Sequence, residues 1–256
     1  MRRLYEKAKQ LGTWDPSHVD LETDARQWGG LSGDEREFVG GIVTLYSRGE
    51  EAVTRDLLPF AAVVARQGRL DDELFVTAWL WEEGKHADFF DRYLSEVVGS
   101  GPAAHGRLGE RLFDVELSGA MNALSTDPSA AATARALSTY CLLVEGVLAD
   151  TGQGALEEAL KARNLLPGLR EGLVLVNRDE SRHVAYGFHV LRRLIAADPS
   201  LAGVVAGRVR ELTPLLTAVA DSVIVTLGSR PFEISYTTRE PEQRVQGLLH
   251  RLAAGD

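Results

Sequence analysis

Two five-residue stretches of this sequence share a pattern. Glu82-Glu83-Gly84-Lys85-His86 and Asp179-Glu180-Ser181-Arg182-His183 both read acid, glutamate, small residue, base, histidine. Residues three apart on a helix sit about 300° around its axis, so Glu83 shares a face with His86, and Glu180 with His183. A carboxylate beside an imidazole is a chelating pair for a metal cation, and two such pairs on separate helices offer ligands for two cations. In the first stretch Glu82 stands four residues before His86 and could compete with Glu83. The second stretch favours Glu83, because position 179 is Asp whereas positions 83 and 180 are both Glu. Glu82 and Asp179 then either support the ligands or face solvent.

Each pair has an upstream glutamate. Glu50 lies 33 residues before Glu83, and Glu145 lies 35 before Glu180. Spacing does not separate Glu50 from its neighbour Glu51. Glu145 stands in Tyr140-Cys141-Leu142-Leu143-Val144-Glu145-Gly146-Val147-Leu148, where burying a carboxylate is costly unless it is paired or bound to metal. The chain reads as two halves, each a helix with one glutamate followed by a helix with Glu-x-x-His. Four carboxylates and two histidines directed into a four-helix core are the ligand set of di-iron and di-manganese carboxylate bundles. Hard oxygen ligands suit Mn and Fe, bridging carboxylates offset the charge of two close cations, and each imidazole adds a borderline ligand.

Elements able to position these residues follow from the pattern. Ala, Leu, Glu and Arg dominate, and period-2 alternation is scarce, so the chain reads as helical nearly throughout. Residues 1–30 read as irregular, with a turn at Asp15-Pro16 and Gly29-Gly30 at the end. Ser32 and Glu35 have the spacing of a capping box, predicting a helix from about Asp34. Pro59 should kink or break it, and Gly68 should stop it. Further helices are expected at about 71–98, 109–124, 129–150 with an interruption at Gly152 and Gly154, 156–162, Pro167 to Ala197, 198–228 and 241–254. No linker rich in Pro, Gly or Ser divides the chain. The expectation is all-α: a single domain over residues 1–256 with a four-helix bundle core and additional helices.

Composition narrows the function. The 256 residues carry 28 basic and 37 acidic side chains, giving 28 − 37 = −9, a poor match to nucleic acid. One cysteine, Cys141, excludes an internal disulfide and any cysteine-rich metal site. No apolar run approaches the roughly 20 residues that span a bilayer, and the N-terminus does not read as a secretory signal. The expectation is a cytoplasmic protein that is not integral to a membrane.

Gly49-Glu50-Glu51-Ala52-Val53, Glu83-x-x-His86, Tyr140 before Glu145, Glu180-x-x-His183, and the N-terminal Tyr5-Glu6-Lys7-Ala8-Lys9 with Trp14-Asp15-Pro16 resemble the R2-like ligand-binding oxidases. These are ferritin-like proteins related to the small subunit of ribonucleotide reductase. The resemblance spans roughly residues 4–190. It implies a heterodinuclear Mn/Fe cofactor, with di-iron as a variant, held by Glu50, Glu83 and His86 around one metal and Glu145, Glu180 and His183 around the other, some carboxylates bridging. Glu50 is preferred over Glu51 because the family's first ligand precedes a valine by three residues, here Val53. The resemblance further implies O2 activation that joins Val53 to Tyr140 in an ether cross-link, a bound long-chain fatty acid and a homodimer. Val53 shares a helix face with Glu50. Tyr140 lies about 140° from Glu145 on an ideal α-helix, so its aim rests on the resemblance or on a local π-bulge. Alternative functions are a radical-generating ribonucleotide reductase small subunit and a non-enzymatic ferritin-like iron-binding protein. Trp79 and Trp81 read as core or interface aromatics, and Cys141 as a buried hydrophobe. His189 falls off the ligand face, and His18, His105 and His250 fall in polar or loop-like contexts.

Overall fold

The computed structural model describes residues 1–99, 106–227 and 240–254; His105 and the expected boundary at 228 lie outside them. The described residues are helical with no strand, an all-α, ferritin-like architecture. Helix α3 (Gly33–Gln67) packs against α4 (Leu70–Tyr93), and α9 (Pro167–Ala197) packs against a π-helical segment, Ser138–Ala149. That segment continues α7 (Ala130–Leu137) and runs directly into α8 (Asp150–Ala162). These four rods enclose the core.

Helix α3 begins at the expected capping box. Glu35 N–H donates to Ser32 Oγ, and Ser32 N–H donates to Glu35 Oε2 at 2.6 Å. It ends at Gly68, whose φ of +62° is left-handed. Pro59 does not break it. Leu57, Phe60, Val63 and Val64 are all buried around the proline, and packing of that face outweighs one lost backbone hydrogen bond. Gly152 and Gly154 likewise leave α8 intact, because Leu156 and Leu160 anchor it in the core.

The N-terminal segment is not irregular. It forms α1 (Arg2–Leu11) and α2 (Glu22–Trp28), with one 3₁₀ turn at Pro16–His18. Its polarity hides this: Ala8 is the one buried residue of α1, and tertiary contact with α4 and α9 stabilises the helix. Helix α2 pins the start of α9. Asp24 is buried and accepts hydrogen bonds from the backbone N–H groups of Gly168 and Leu169, at 2.8 Å each, and from Tyr93 Oη at 2.9 Å. This carboxylate caps α9 from another helix, satisfying orphan N–H donors at its first turn.

Gly106–Glu110 (α5), a π segment Arg111–Leu117, Ser118–Asn122 (α6) and a closing 3₁₀ turn Ala123–Ser125 cover the expected 109–124 helix. Helix α10 (Leu201–Leu227) packs on the 138–149 segment, and α11 (Glu240–Ala254) packs on both. No helix among the described residues is long and apolar enough to cross a membrane.

Candidate metal centre

Each core rod brings its acidic or histidine residue inward: Glu50 from α3, Glu83 and His86 from α4, Glu145 from the π segment, Glu180 and His183 from α9. All six are buried, whereas Glu51 is exposed. Their donor atoms form two overlapping groups, Glu50–Glu83–His86–Glu180 and Glu83–Glu145–Glu180–His183, with the atoms of each group within 4.8 Å of one another. His86 Nδ1 lies 3.6 Å from Glu50 Oε2, 3.6 Å from Glu83 Oε2 and 3.2 Å from Glu180 Oε1. His183 Nδ1 lies 3.1 Å from Glu83 Oε1, 3.4 Å from Glu145 Oε1 and 3.4 Å from Glu180 Oε2. Ligand atoms about 2.1 Å from one ion, at angles between tetrahedral and octahedral, stand roughly 3.0–3.4 Å apart. Glu83 and Glu180 each turn one oxygen to one histidine and the other oxygen to the second, as bridging carboxylates do.

The donor atoms are orphans without ions. Glu83 Oε2, His86 Nδ1, both Glu145 oxygens, Glu180 Oε2 and His183 Nδ1 are buried with no hydrogen-bond partner. Six unsatisfied polar atoms gathered around two neighbouring points would be a heavy penalty in an apolar core, and metal coordination removes it. The electrostatics agree. Burial pushes Glu50 up to about 8, and burial together with the charge of Glu180 raises Glu145 well above the carboxylate range. Burial also opposes the charge on Glu83, but His183 and His86 hold it low.

An outer layer orients the imidazoles. Glu82 Oε2 lies 2.8 Å from His183 Nε2, and Asp179 Oδ2 lies 3.4 Å from His86 Nε2. Asp179 also accepts from Trp14 Nε1 at 2.8 Å and Lys85 Nζ at 2.9 Å, and Arg182 donates to both Glu82 and Asp179. So the acid of each pentapeptide serves the opposite helix's histidine, and the bases neutralise the acids. Such second-layer hydrogen bonds fix ring orientation and ligand basicity.

A sequence family described as ribonucleotide reductase, small chain, matches residues 1–223. Among solved structures, an R2-like ligand-binding oxidase with aerobically reconstituted Mn/Fe cofactor is 32% identical over 99% of this chain and 91% of its own, with a TM-score of 0.90. The chain belongs to the R2-like ligand-binding oxidases. A Val-to-Ile variant of such an oxidase, with anaerobically reconstituted Mn/Fe cofactor, is 31% identical over 98% of this chain and 92% of its own, with a TM-score of 0.92. A Gly-to-Leu variant with aerobically reconstituted Fe/Fe cofactor is 32% identical over 99% and 92%, with a TM-score of 0.90. As a member of the R2-like oxidases, this chain is a metal-dependent oxidoreductase.

In this R2-like oxidase an apolar cavity opens from the carboxylates. Val53, Tyr140, Phe38, Ile42, Val144 and Leu216 are among its walls. The π segment brings Tyr140 onto this cavity together with Glu145, a placement that 3.6-residue turns would deny it. Tyr140 Oη is buried without a hydrogen-bond partner, and burial, then the charges of Glu83, Glu145 and Glu180, raise its pKa.

Trp79 is more than a core aromatic. Its Nε1–H donates to Glu83 Oε1 at 2.6 Å, and its ring stacks on His183 and Tyr140 with centroids 5.0 and 5.3 Å away. The signal in the sequence was its place four residues before Glu83, one turn along the same face. Trp81 is half exposed with the Lys85 ammonium over its ring. His189, His18 and His250 are exposed.

Proposed function

We propose that this chain is an O2-activating dinuclear Mn/Fe oxidase that performs two-electron C–H oxidation, acting as one domain in a cytoplasmic homodimer. The observation that carries the metal reading is the convergence of six orphaned donor atoms on two points that share Glu83 and Glu180. Glu50 and His86 would complete one site, and Glu145 and His183 the other. When bound, the two ions supply an O2-binding position and, in going from divalent to trivalent, two electrons.

The chain's own residues provide the rest. Val53 and Tyr140 share the cavity wall beside the carboxylates, and we assign them as the cross-linking pair. Joining the Tyr140 oxygen to a Val53 carbon breaks one O–H and one C–H bond, forms one C–O bond and releases two protons and two electrons. With two further electrons and two further protons, O2 is reduced to two waters. The apolar walls exclude bulk water from this oxidation. They also suit the hydrocarbon chain of a long-chain fatty acid, whose carboxylate would face Glu50, Glu83, Glu145 and Glu180. That placement is repulsive until cations are present, so acid binding should depend on metal. The dimer rests on the family resemblance, and for the cytoplasmic setting the lone, buried Cys141 fits a reducing compartment.

The test is refolding with Mn(II) and Fe(II) in air, followed by metal analysis and intact mass. Wild type should hold about two metals per chain and lose the mass of two hydrogens. A wild type that binds no more metal than Glu83→Ala overturns the reading.

A further inference from the structure

Arg208, on α10, is 2% exposed. Its Nε donates to Thr139 Oγ1 at 2.8 Å, Nη1 to Glu116 Oε2 at 2.9 Å, and Nη2 to the Glu116 carbonyl at 3.0 Å. Nη1 also lies 3.1 Å from Glu211 Oε1. Thr139 immediately precedes Tyr140 in the 138–149 π segment. Glu116 belongs to the 111–117 π segment, which contributes Phe113 to the cavity, and α10 contributes Leu216 and Ala220. One guanidinium therefore ties three cavity walls together.

The geometry fixes each group's role. The single hydroxyl proton of Thr139 goes to the Arg135 carbonyl, 2.8 Å away, leaving only oxygen lone pairs for Arg208. Planar, forked donors reach a side-chain oxygen on one segment and a backbone oxygen on the other at once. π-helical turns are rare and short, so twelve residues held in that pitch need outside support.

We propose that Arg208 is a positioning residue for Tyr140. Through Thr139 and Glu116 it holds both π segments in register, and thereby directs the phenol at the metal centre. This rests on the assignment of Tyr140 as the reacting phenol.

The holoprotein tests it. Thr139→Val keeps the side chain's shape but removes the acceptor, Thr139→Ser keeps the hydroxyl, and Arg208→Lys keeps the charge but not the fork. The readouts are metal content, the fraction of chains lighter by two hydrogens, and amide exchange across 138–149. Thr139→Val and Arg208→Lys should load metal like wild type, give about a tenth of the cross-link and exchange about ten-fold faster in that segment. Thr139→Ser should restore both. Wild-type exchange and cross-linking in Thr139→Val overturn the proposal. If wild type binds both metals yet forms no cross-link, the Tyr140 assignment fails. Segment exchange then decides the clamp by itself: faster in Thr139→Val supports it, and unchanged overturns it.

Discussion

Glu82 meets His183 at 2.8 Å across two helices, although Glu82 lies only four residues before His86 on its own. Asp179 makes the reciprocal reach to His86. Each histidine is thus oriented from the helix that carries the other, so the two Glu-x-x-His motifs are assembled as a unit.

Glu82→Gln keeps an acceptor for His183 but removes the charge that raises the imidazole's basicity. Metal affinity should fall about 10- to 100-fold, measured by competition with a chelator. Asp179→Asn should cost more stability than Glu82→Gln, because it leaves the buried Lys85 and Arg182 without their shared counter-ion. Equal melting temperatures for the two variants would contradict that ranking.

The four carboxylates should not be equivalent. Glu83→Gln and Glu180→Gln each disturb both ion positions, so elemental analysis should show loss of both metals. Glu50→Gln and Glu145→Gln each touch one position and should retain about one metal per chain. Loss of a single metal in Glu83→Gln would argue against bridging.

In the metal-free protein, burial pushes Glu50 up to about 8 from an ordinary 4.5. Burial opposes charge on the histidines, but Asp179, Glu180 and Glu50 raise His86, and Glu145, Glu180 and Glu82 raise His183, well above 6.5. All three groups keep a proton in the fold that the unfolded chain releases at lower pH. Stability of the metal-free protein should therefore fall as pH rises from about 5 to about 8. Glu83 and Asp179 shift the opposite way, and their contribution is lost only on acidification. Metal binding at neutral pH should release protons, read as binding heat that varies with buffer ionisation enthalpy. A flat stability profile with no such variation would sink this account.

Asp24→Ala removes the acceptor for two N–H groups of α9 and for Tyr93 Oη. Thermal unfolding should show a loss of about 2 kcal/mol, with the metal content at neutral pH retained. A change below a few tenths would mean that the cap is dispensable.

Much of this arrangement was readable from local pattern. The capping box at Ser32 and Glu35, the limits of α9 and the two pentapeptides all depend on residues within a turn or two of each other. What escaped the sequence is tertiary. Helix α1 buries a single residue of its own and is helical because α4 and α9 support it. Trp79 shows its bond to Glu83 by spacing, but its stacking on His183 and Tyr140 comes from other helices. Asp24 and Gln27, which accepts from Leu166 N–H at 2.6 Å, sit about 140 positions from the backbone they hold. Pro59 and Gly152 carry local rules that packing overrides.

The 138–149 segment has a consequence for how this chain can vary. An α-helix turns about 100° per residue, so relaxing the rod to ordinary pitch over the five steps from Tyr140 to Glu145 would swing the phenol about 140° away, whereas deleting one residue between them would leave four steps and about 40°, on the same side. No side-chain identity need change for either to happen. What is inherited at this point is a count of residues, and substitution alone could neither create nor repair it.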